Sequence, residues 1–280
     1  MSEGPVLRVE NLSVHYTLPR RSLFASPSVL KAVRNVSFQV ERGRSLGLVG
    51  ESGSGKSTTA RAVMALERIT SGKVHIAGEE ITALSPRRLR EHRRHFQMVF
   101  QDPYGSLDPR YTVGRAIAEP VQDLRGAPLR ERIAETLESV GIGPDAIDKY
   151  PHQFSGGQRQ RIAIARALIT RPALIVADEA VSALDVSVQA QVLNLLRDLQ
   201  ESAGISYLFI GHDLSVMQYV CDDIIVMNGG EIVESGPADQ VIGHPAHEYT
   251  QKLVEATPKL GVPLRTRGFV DTSFGQGRNT

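Results

Sequence analysis

The sequence has one cysteine, Cys221, no tryptophan and only 5% aromatic residues. A single cysteine excludes an internal disulfide and any multi-cysteine metal site. Cys221 reads as a small apolar packing residue, in keeping with a reducing compartment. Charge of one sign is also lacking: 32 basic against 31 acidic side chains leave a net +1. A protein that wraps nucleic acid is expected to be basic, so no nucleic-acid partner is expected. No run approaches the ~20 apolar residues that span a bilayer, and the longest, such as Ala173 to Ala177, are strand-sized. The opening Met1-Ser2-Glu3-Gly4-Pro5 lacks the basic-then-apolar layout of a signal peptide, so the expected site of action is the cytoplasmic side. What remains is ordinary globular composition, 41% hydrophobic and 22% charged over 280 residues. That suffices for one large domain or two small ones and excludes a disordered or collagen-like chain.

Short β-rich runs open the chain at Leu7 to Val9, Leu12 to Val14, Val36 to Val40 and Leu46 to Val49, with residues 19 to 31 read as a basic, proline-containing loop. After a glycine-rich turn, Thr58 to Leu66 follows helical spacing through Ala60, Val63 and Met64. Residues 85 to 95 carry five arginines and two histidines on a predicted helix. Without interleaved aromatics this reads as a solvated face rather than a nucleic-acid patch. Leu129, Ile133, Leu137 and Val140 mark one more helix, and Gly156 to Ile169 another, ended by Arg171-Pro172. Ala173 to Ala177 is a continuous apolar run, as expected of a strand buried on both faces. A helix through Val188, Val192, Leu195, Leu196 and Leu199 and a buried strand at Ser206 to Ile210 follow. Strands alternating with helices predict an α/β sheet with mainly parallel strands. Residues of about 102 to 160 are expected to form a separate helical lobe, and residues 259 to 280, polar and glycine-containing, a flexible tail.

The motif Gly50-Glu51-Ser52-Gly53-Ser54-Gly55-Lys56-Ser57 fits GxxxxGK[ST], between a predicted strand and a predicted helix. Glycines let successive N–H groups converge on one anion, reinforced by the helix N-terminus. Lys56 supplies a point charge for the β- and γ-phosphates, the Ser57 hydroxyl a Mg²⁺ ligand, and Thr58 follows in the first helical turn. A chance match in this length is on the order of 1%. The second half of such a site is a strand ending in an acid, and Leu174-Ile175-Val176-Ala177-Asp178-Glu179 supplies one at the carboxyl end of a strand, where α/β ligand sites form. Asp178 is the candidate Mg²⁺ ligand and Glu179 the candidate general base or water-positioning group. The two cofactors so expected are ATP and Mg²⁺.

Phe154-Ser155-Gly156-Gly157-Gln158, with Gln158 placed 20 residues before Asp178, resembles the signature of the ATP-binding cassette (ABC) family. The resemblance implies a P-loop NTPase (RecA-like) α/β core with an antiparallel β subdomain and an inserted α-helical subdomain, over about residues 1 to 258. It also implies a head-to-tail dimer in which Ser155, Gly156, Gly157 and Gln158 cap the nucleotide of the other subunit; a helix cap without a ligand is the plainer reading of Ser155. Gln101 resembles the glutamine that reaches Mg²⁺ and the attacking water. Asp185, in Ser182-Ala183-Leu184-Asp185, resembles the loop that crosses the dimer interface, His212 the histidine that contacts the γ-phosphate, and Tyr16 the aromatic that stacks on adenine.

Phe96 to Tyr104, Ser106 to Arg110, Tyr150 to Phe154, Val181 to Ser187, Ile232 to Pro237 and His247-Glu248-Tyr249-Thr250-Gln251 are similar to the oligopeptide, dipeptide and nickel importer branch. Three positions depart from the pattern: Ala180 stands where proline is usual, Gly211 where Ser or Thr precedes the histidine, and Glu248 interrupts His-Pro-Tyr. The resemblance implies an ATPase that drives peptide uptake, peripheral on the cytoplasmic face of the inner membrane. It works with two transmembrane permease subunits, a second ABC ATPase subunit (a heterodimer favoured over a homodimer) and a periplasmic or extracellular solute-binding protein. Nickel or another small solute is the alternative cargo. A soluble ABC ATPase in DNA repair or translation is disfavoured by the single phosphate loop, and a non-hydrolysing regulator by Lys56, Asp178, Glu179 and His212 together. The pairs His92/His95 and His244/His247 have metal-ligand spacing but no accompanying carboxylate or cysteine, and read as exposed polar histidines.

Overall fold

A computed structural model describes residues 4–18, 28–100, 103–121, 123–182 and 184–256. The chain begins with strands β1 (Leu7–Thr17) and β2 (Val29–Val40), followed by β3 (Ser45–Val49), helix α1 (Lys56–Val63), β4 (Ser71–Ile76) and the two-residue β5 (Glu79–Glu80). Helix α2 (Pro86–His92) and β6 (Phe96–Val99) lead into a strand-free stretch of four helices: α3 (Pro103–Ser106), α4 (Val113–Ala118), α5 (Gly126–Ser139) and α6 (Gly156–Leu168). Then come β7 (Leu174–Asp178), α7 (Val186–Ala203), β8 (Ser206–Gly211), α8 (Leu214–Val220), the hairpin β9 (Asp223–Asn228) and β10 (Glu231–Pro237), α9 (Ala238–Gly243) and α10 (Glu248–Ala256).

Two sheets result. One is antiparallel, in the order β2-β1-β4-β5; the other runs β10-β9-β3-β8-β7-β6, parallel except for its β10 edge. This is the expected α/β core with an antiparallel β layer and helices inserted between two parallel strands. The parallel strands β3, β7 and β8 are buried on both faces because the sheet separates two apolar cores. Ile175, Ala177, Tyr207 and Phe209 face the core shared with the helices, whereas Leu174, Val176, Leu208 and Ile210 face the core shared with α1 and the antiparallel sheet. Period-two alternation therefore divides an unbroken apolar run between two environments.

Four sequence expectations need correction. The two runs at Leu7 and Leu12 are one strand, because Asn11, at φ 49°, absorbs a bulge between Val9 and Leu12 in the pairing with β2. The loop read over 19 to 31 ends sooner. Val29 to Lys31 pair with β1 as the exposed arm of a hairpin, where ladder bonds and not burial decide the conformation; residues 19–27 lie outside the described residues. His92 is buried, its Nε2 2.9 Å from the Ile76 carbonyl and its Nδ1 3.1 Å from Glu79, so it pins α2 to the antiparallel sheet. His244 and His247 are exposed as expected. Helix α1 also starts two residues earlier, and ends three residues earlier, than the predicted Thr58 to Leu66. The tail at 259 to 280 lies outside the described residues.

Tyr207 is fully buried against Phe209, and its hydroxyl has no hydrogen-bond partner among the described residues. Burial alone pushes its pKa far above the ordinary tyrosine value. An unpaired buried hydroxyl costs roughly 1 to 3 kcal/mol. Tyr207→Phe is therefore expected to raise stability by about 1 kcal/mol, read as a melting temperature higher by roughly 2 to 4 °C in calorimetry. A lower melting temperature would show that the hydroxyl is paired in solution.

Candidate functional site

The glycine-rich motif is a loop between β3 and α1. Gly50 takes φ +149°, and a Cβ there would stand 2.2 Å from the Met227 carbonyl of β9, so only glycine permits the chain to leave β3 in this direction. Gly55, in the left-handed region, precedes the first residue of α1, Lys56, and places the helix N-terminus at the loop. Lys56 is only 7% exposed. Its Nζ donates to the carbonyls of Gly50 (2.7 Å) and Glu51 (2.8 Å) and lies 3.4 Å from Ser54 Oγ. Burial lowers the pKa of the amine, opposed by the negative charges of Glu179, Asp178 and Glu51.

Asp178 ends β7 and Glu179 follows it at φ 46°, a left-handed conformation uncommon for a non-glycine residue. The Glu179 N–H continues the ladder to the Ile210 carbonyl, and the Glu179 carbonyl accepts from both the N–H and the hydroxyl of Ser182. The next carbonyl, that of Ala180, accepts from Nε2 of the fully buried Gln160 at 2.6 Å. The turn is thus held from β8, from its own downstream residues and from α6. Burial raises the Asp178 pKa, and Glu179 raises it further. The Glu179 carboxylate lies 3.2 Å from Nδ1 of His212, which follows β8. Gly211 before it has a local cause: a Cβ there would come within 2.4 Å of the Met217 methyl.

Lys56, Glu179 and His212 border one cleft of about 1060 Å³, lined also by Tyr16 and the phosphate loop through Thr58; Asp178 is not among its lining residues. Gly50, Ser52, Gly53, Gly55, Lys56, Ser57 and Thr58 all contribute, while Ser54 is buried beneath the loop. Tyr16 comes from β1, and burial raises the pKa of its hydroxyl. Gln101 lies outside the described residues.

Ser155, Gly156, Gly157, Gln158 and Asp185 are not among the residues lining this cleft. Ser155 caps α6 through a capping box, its Oγ accepting from the Gln158 N–H while the Gln158 Oε1 accepts from the Ser155 N–H. Asp185 caps α7 by accepting from the Val188 N–H at 3.0 Å, and that bond is the main cause of its lowered pKa. The two caps abut: a Cβ on Gly157 would lie 2.3 Å from Val188. They form a second, outward-facing cluster on the same chain, with Ser155 and Asp185 exposed.

Sequence reasoning missed Lys31, Arg34, Leu253 and Ala256, which also border the cleft. It missed Gln160 as well. None carries a local signal, because each reaches the site by long-range packing. For Mg²⁺ the side chains on hand are oxygen donors, as a hard cation requires. Ser57 beside Lys56 and the Asp178 carboxylate at the end of β7 are such donors, so the residues fit the ion.

Residues 33–182 match the family model described as ABC transporter, and residues 233–272 match the one described as oligopeptide/dipeptide transporter, C-terminal region. The chain is 46% identical over 261 residues to a dipeptide transport ATP-binding protein of Escherichia coli (strain K12), covering 92% of this chain and 78% of that one. It is 47% identical over 258 residues to a di/tripeptide transport ATP-binding protein of Pseudomonas aeruginosa (strain UCBPP-PA14), covering 91% and 80%. Among solved structures it resembles an ATP-binding cassette captured as a dimer in a post-hydrolysis state bound to ADP and Pi. That match has TM-score 0.72 at 28% identity and covers 83% of this chain and 98% of that one.

Proposed function

This chain belongs to the ABC transporter family, and on that premise we propose that it is the ATP-hydrolysing subunit of a peptide importer. The observation that carries the reading is the convergence of the phosphate loop, Lys56, Glu179 and His212 on one cleft, in a chain that also matches the oligopeptide/dipeptide transporter C-terminal region. Loop N–H groups and Lys56 bind the phosphates, and Tyr16 packs on the base. Glu179 orients and deprotonates the attacking water, with His212 beside it to contact the γ-phosphate. Ser57, Gln101 and Asp178 would hold Mg²⁺, which supplies charge neutralisation at the β- and γ-phosphates.

The outward cluster of Ser155, Gly156, Gly157, Gln158 and Asp185 caps the nucleotide of a second ATPase subunit, with a heterodimer favoured over a homodimer. No helix among the described residues is long and apolar enough to cross a membrane. The work of transport therefore passes to two permease subunits, with this chain peripheral on the cytoplasmic face of the inner membrane and a solute-binding protein delivering the cargo.

Affinity purification of the full chain from native membranes, with mass spectrometry, tests the reading. Two permeases and a second cassette are the expected companions, and a co-encoded solute-binding protein that binds di- or oligopeptides completes it. A nickel-binding protein in its place would move the cargo to the metal. Ribosomal or DNA-associated proteins alone would overturn the importer.

A further inference from the structure

The carboxyl-terminal helix α10 reaches the nucleotide cleft. Leu253 and Ala256 line it, and one turn earlier the Tyr249 hydroxyl accepts a hydrogen bond from the Glu51 N–H at 3.0 Å. Glu51 is the second residue of the phosphate loop, and its carbonyl accepts from Lys56 at 2.8 Å. One peptide unit on each side of Glu51 is therefore gripped, by Tyr249 from outside the loop and by Lys56 from within. The neighbours Gly50 and Gly53 both have positive φ, so without such ties this stretch has wide conformational freedom to lose on closing around an anion.

Helix α10 is itself anchored. Glu234 of β10 accepts from the N–H groups of Ala246 (2.8 Å) and His247 (3.1 Å), immediately before the helix. His247 Nδ1 accepts from the Tyr249 N–H at 3.1 Å. Strand β10 pairs with β9, and β9 with β3, the strand from which the phosphate loop springs. Tyr249 thus closes a circuit: β3, β9, β10, α10 and back to the loop.

We propose that Tyr249 is a positioning residue that holds the phosphate loop in its anion-binding shape, which makes the carboxyl-terminal helix a working part of the nucleotide site. The proposal rests on the reading of this loop as the ATP site. It assigns Tyr249 no contact with ATP; the effect passes through the Glu51 peptide. The hydroxyl has this role because an N–H that is already paired can neither drift nor recruit a competing water.

The test is Tyr249→Phe in the full chain, which removes one oxygen and keeps the ring. Titration with a fluorescent ATP analogue is expected to give a Kd roughly three- to tenfold weaker, the range for losing one hydrogen bond. kcat at saturating ATP is expected to stay within about twofold and the melting temperature to fall by no more than about 4 °C, because the ring packing is retained and only one hydrogen bond is lost. Hydrogen exchange of the Glu51 amide in the free protein is expected to accelerate. Glu51→Pro removes the same bond from the other side. Combined with Tyr249→Phe it is expected to bind no more weakly than the weaker single variant, the non-additivity of a shared bond. Wild-type Kd and exchange in Tyr249→Phe, or full additivity of the pair, would overturn the proposal. Lys56→Ala separates the two levels. If it abolishes binding while Tyr249→Phe does nothing, only Tyr249's role fails; if wild type and Lys56→Ala bind ATP alike, the ATP-site reading fails.

Discussion

Glu179→Gln is expected to lower ATP turnover by about 10²- to 10⁴-fold, the usual worth of a positioned general base, while ATP affinity stays within about twofold of wild type. The amide keeps the volume of the carboxylate and its left-handed backbone, so the turn held by Ile210, Ser182 and Gln160 survives. What disappears is the proton acceptor 3.2 Å from His212. Removing this charge also withdraws the secondary cause of the raised Asp178 pKa, leaving burial as the main one. With chemistry blocked and binding intact, ATP is expected to hold two cassettes together, seen as a dimer in size-exclusion chromatography that wild type does not accumulate. Phosphate release at the wild-type rate would remove Glu179 from this role.

Lys56→Ala acts on binding instead. The amine makes charge-assisted bonds to the loop carbonyls, and bound phosphates are expected to take up these donors. Each charge-assisted bond contributes roughly 1.5 to 3 kcal/mol. The expected loss is therefore on the order of 10²-fold in Kd or more, measured by nucleotide titration. The pH dependence has a definite sign. Only the ammonium form attracts phosphate, so the bound lysine has a higher pKa than the free one. Affinity is full below the free pKa and falls as pH rises through it toward the bound value. Because burial lowers the free pKa, the decline begins on the acidic side of the ordinary lysine range, and Lys56→Ala is expected to lack it. A wild-type affinity flat up to the ordinary lysine range would contradict the lowered pKa of this amine.

Much of this was legible from the sequence wherever chemistry fixes residue types at short spacing. The phosphate loop, the strand ending in Asp178-Glu179 and the capped start of α6 are local patterns whose meaning survives any packing. The division of Leu174 to Ala177 between two cores was legible as an apolar run, because only a strand covered on both faces needs one. Contacts set by distant chain segments were not. Tyr249 meets Glu51 across 198 residues, Gln160 meets Ala180 from another element, and His92 is buried by a sheet that its own helix sequence does not mention. Gly211 is the instructive middle case: its departure from Ser or Thr was visible, but its cause, the Met217 methyl, needed the fold.

Helix α6 has a mechanical consequence. Its 13 residues span about 20 Å. Along that length it is clamped at its cap by Val188 of α7, in mid-course by the bond from Gln160 to the Ala180 carbonyl, and further on by Arg166 to the Ser106 carbonyl. A rod fixed at three stations has no slack. A displacement imposed at the outward-facing cap is therefore expected to be carried along the helix to the Ala180 carbonyl, one residue from Glu179, rather than being dissipated in between.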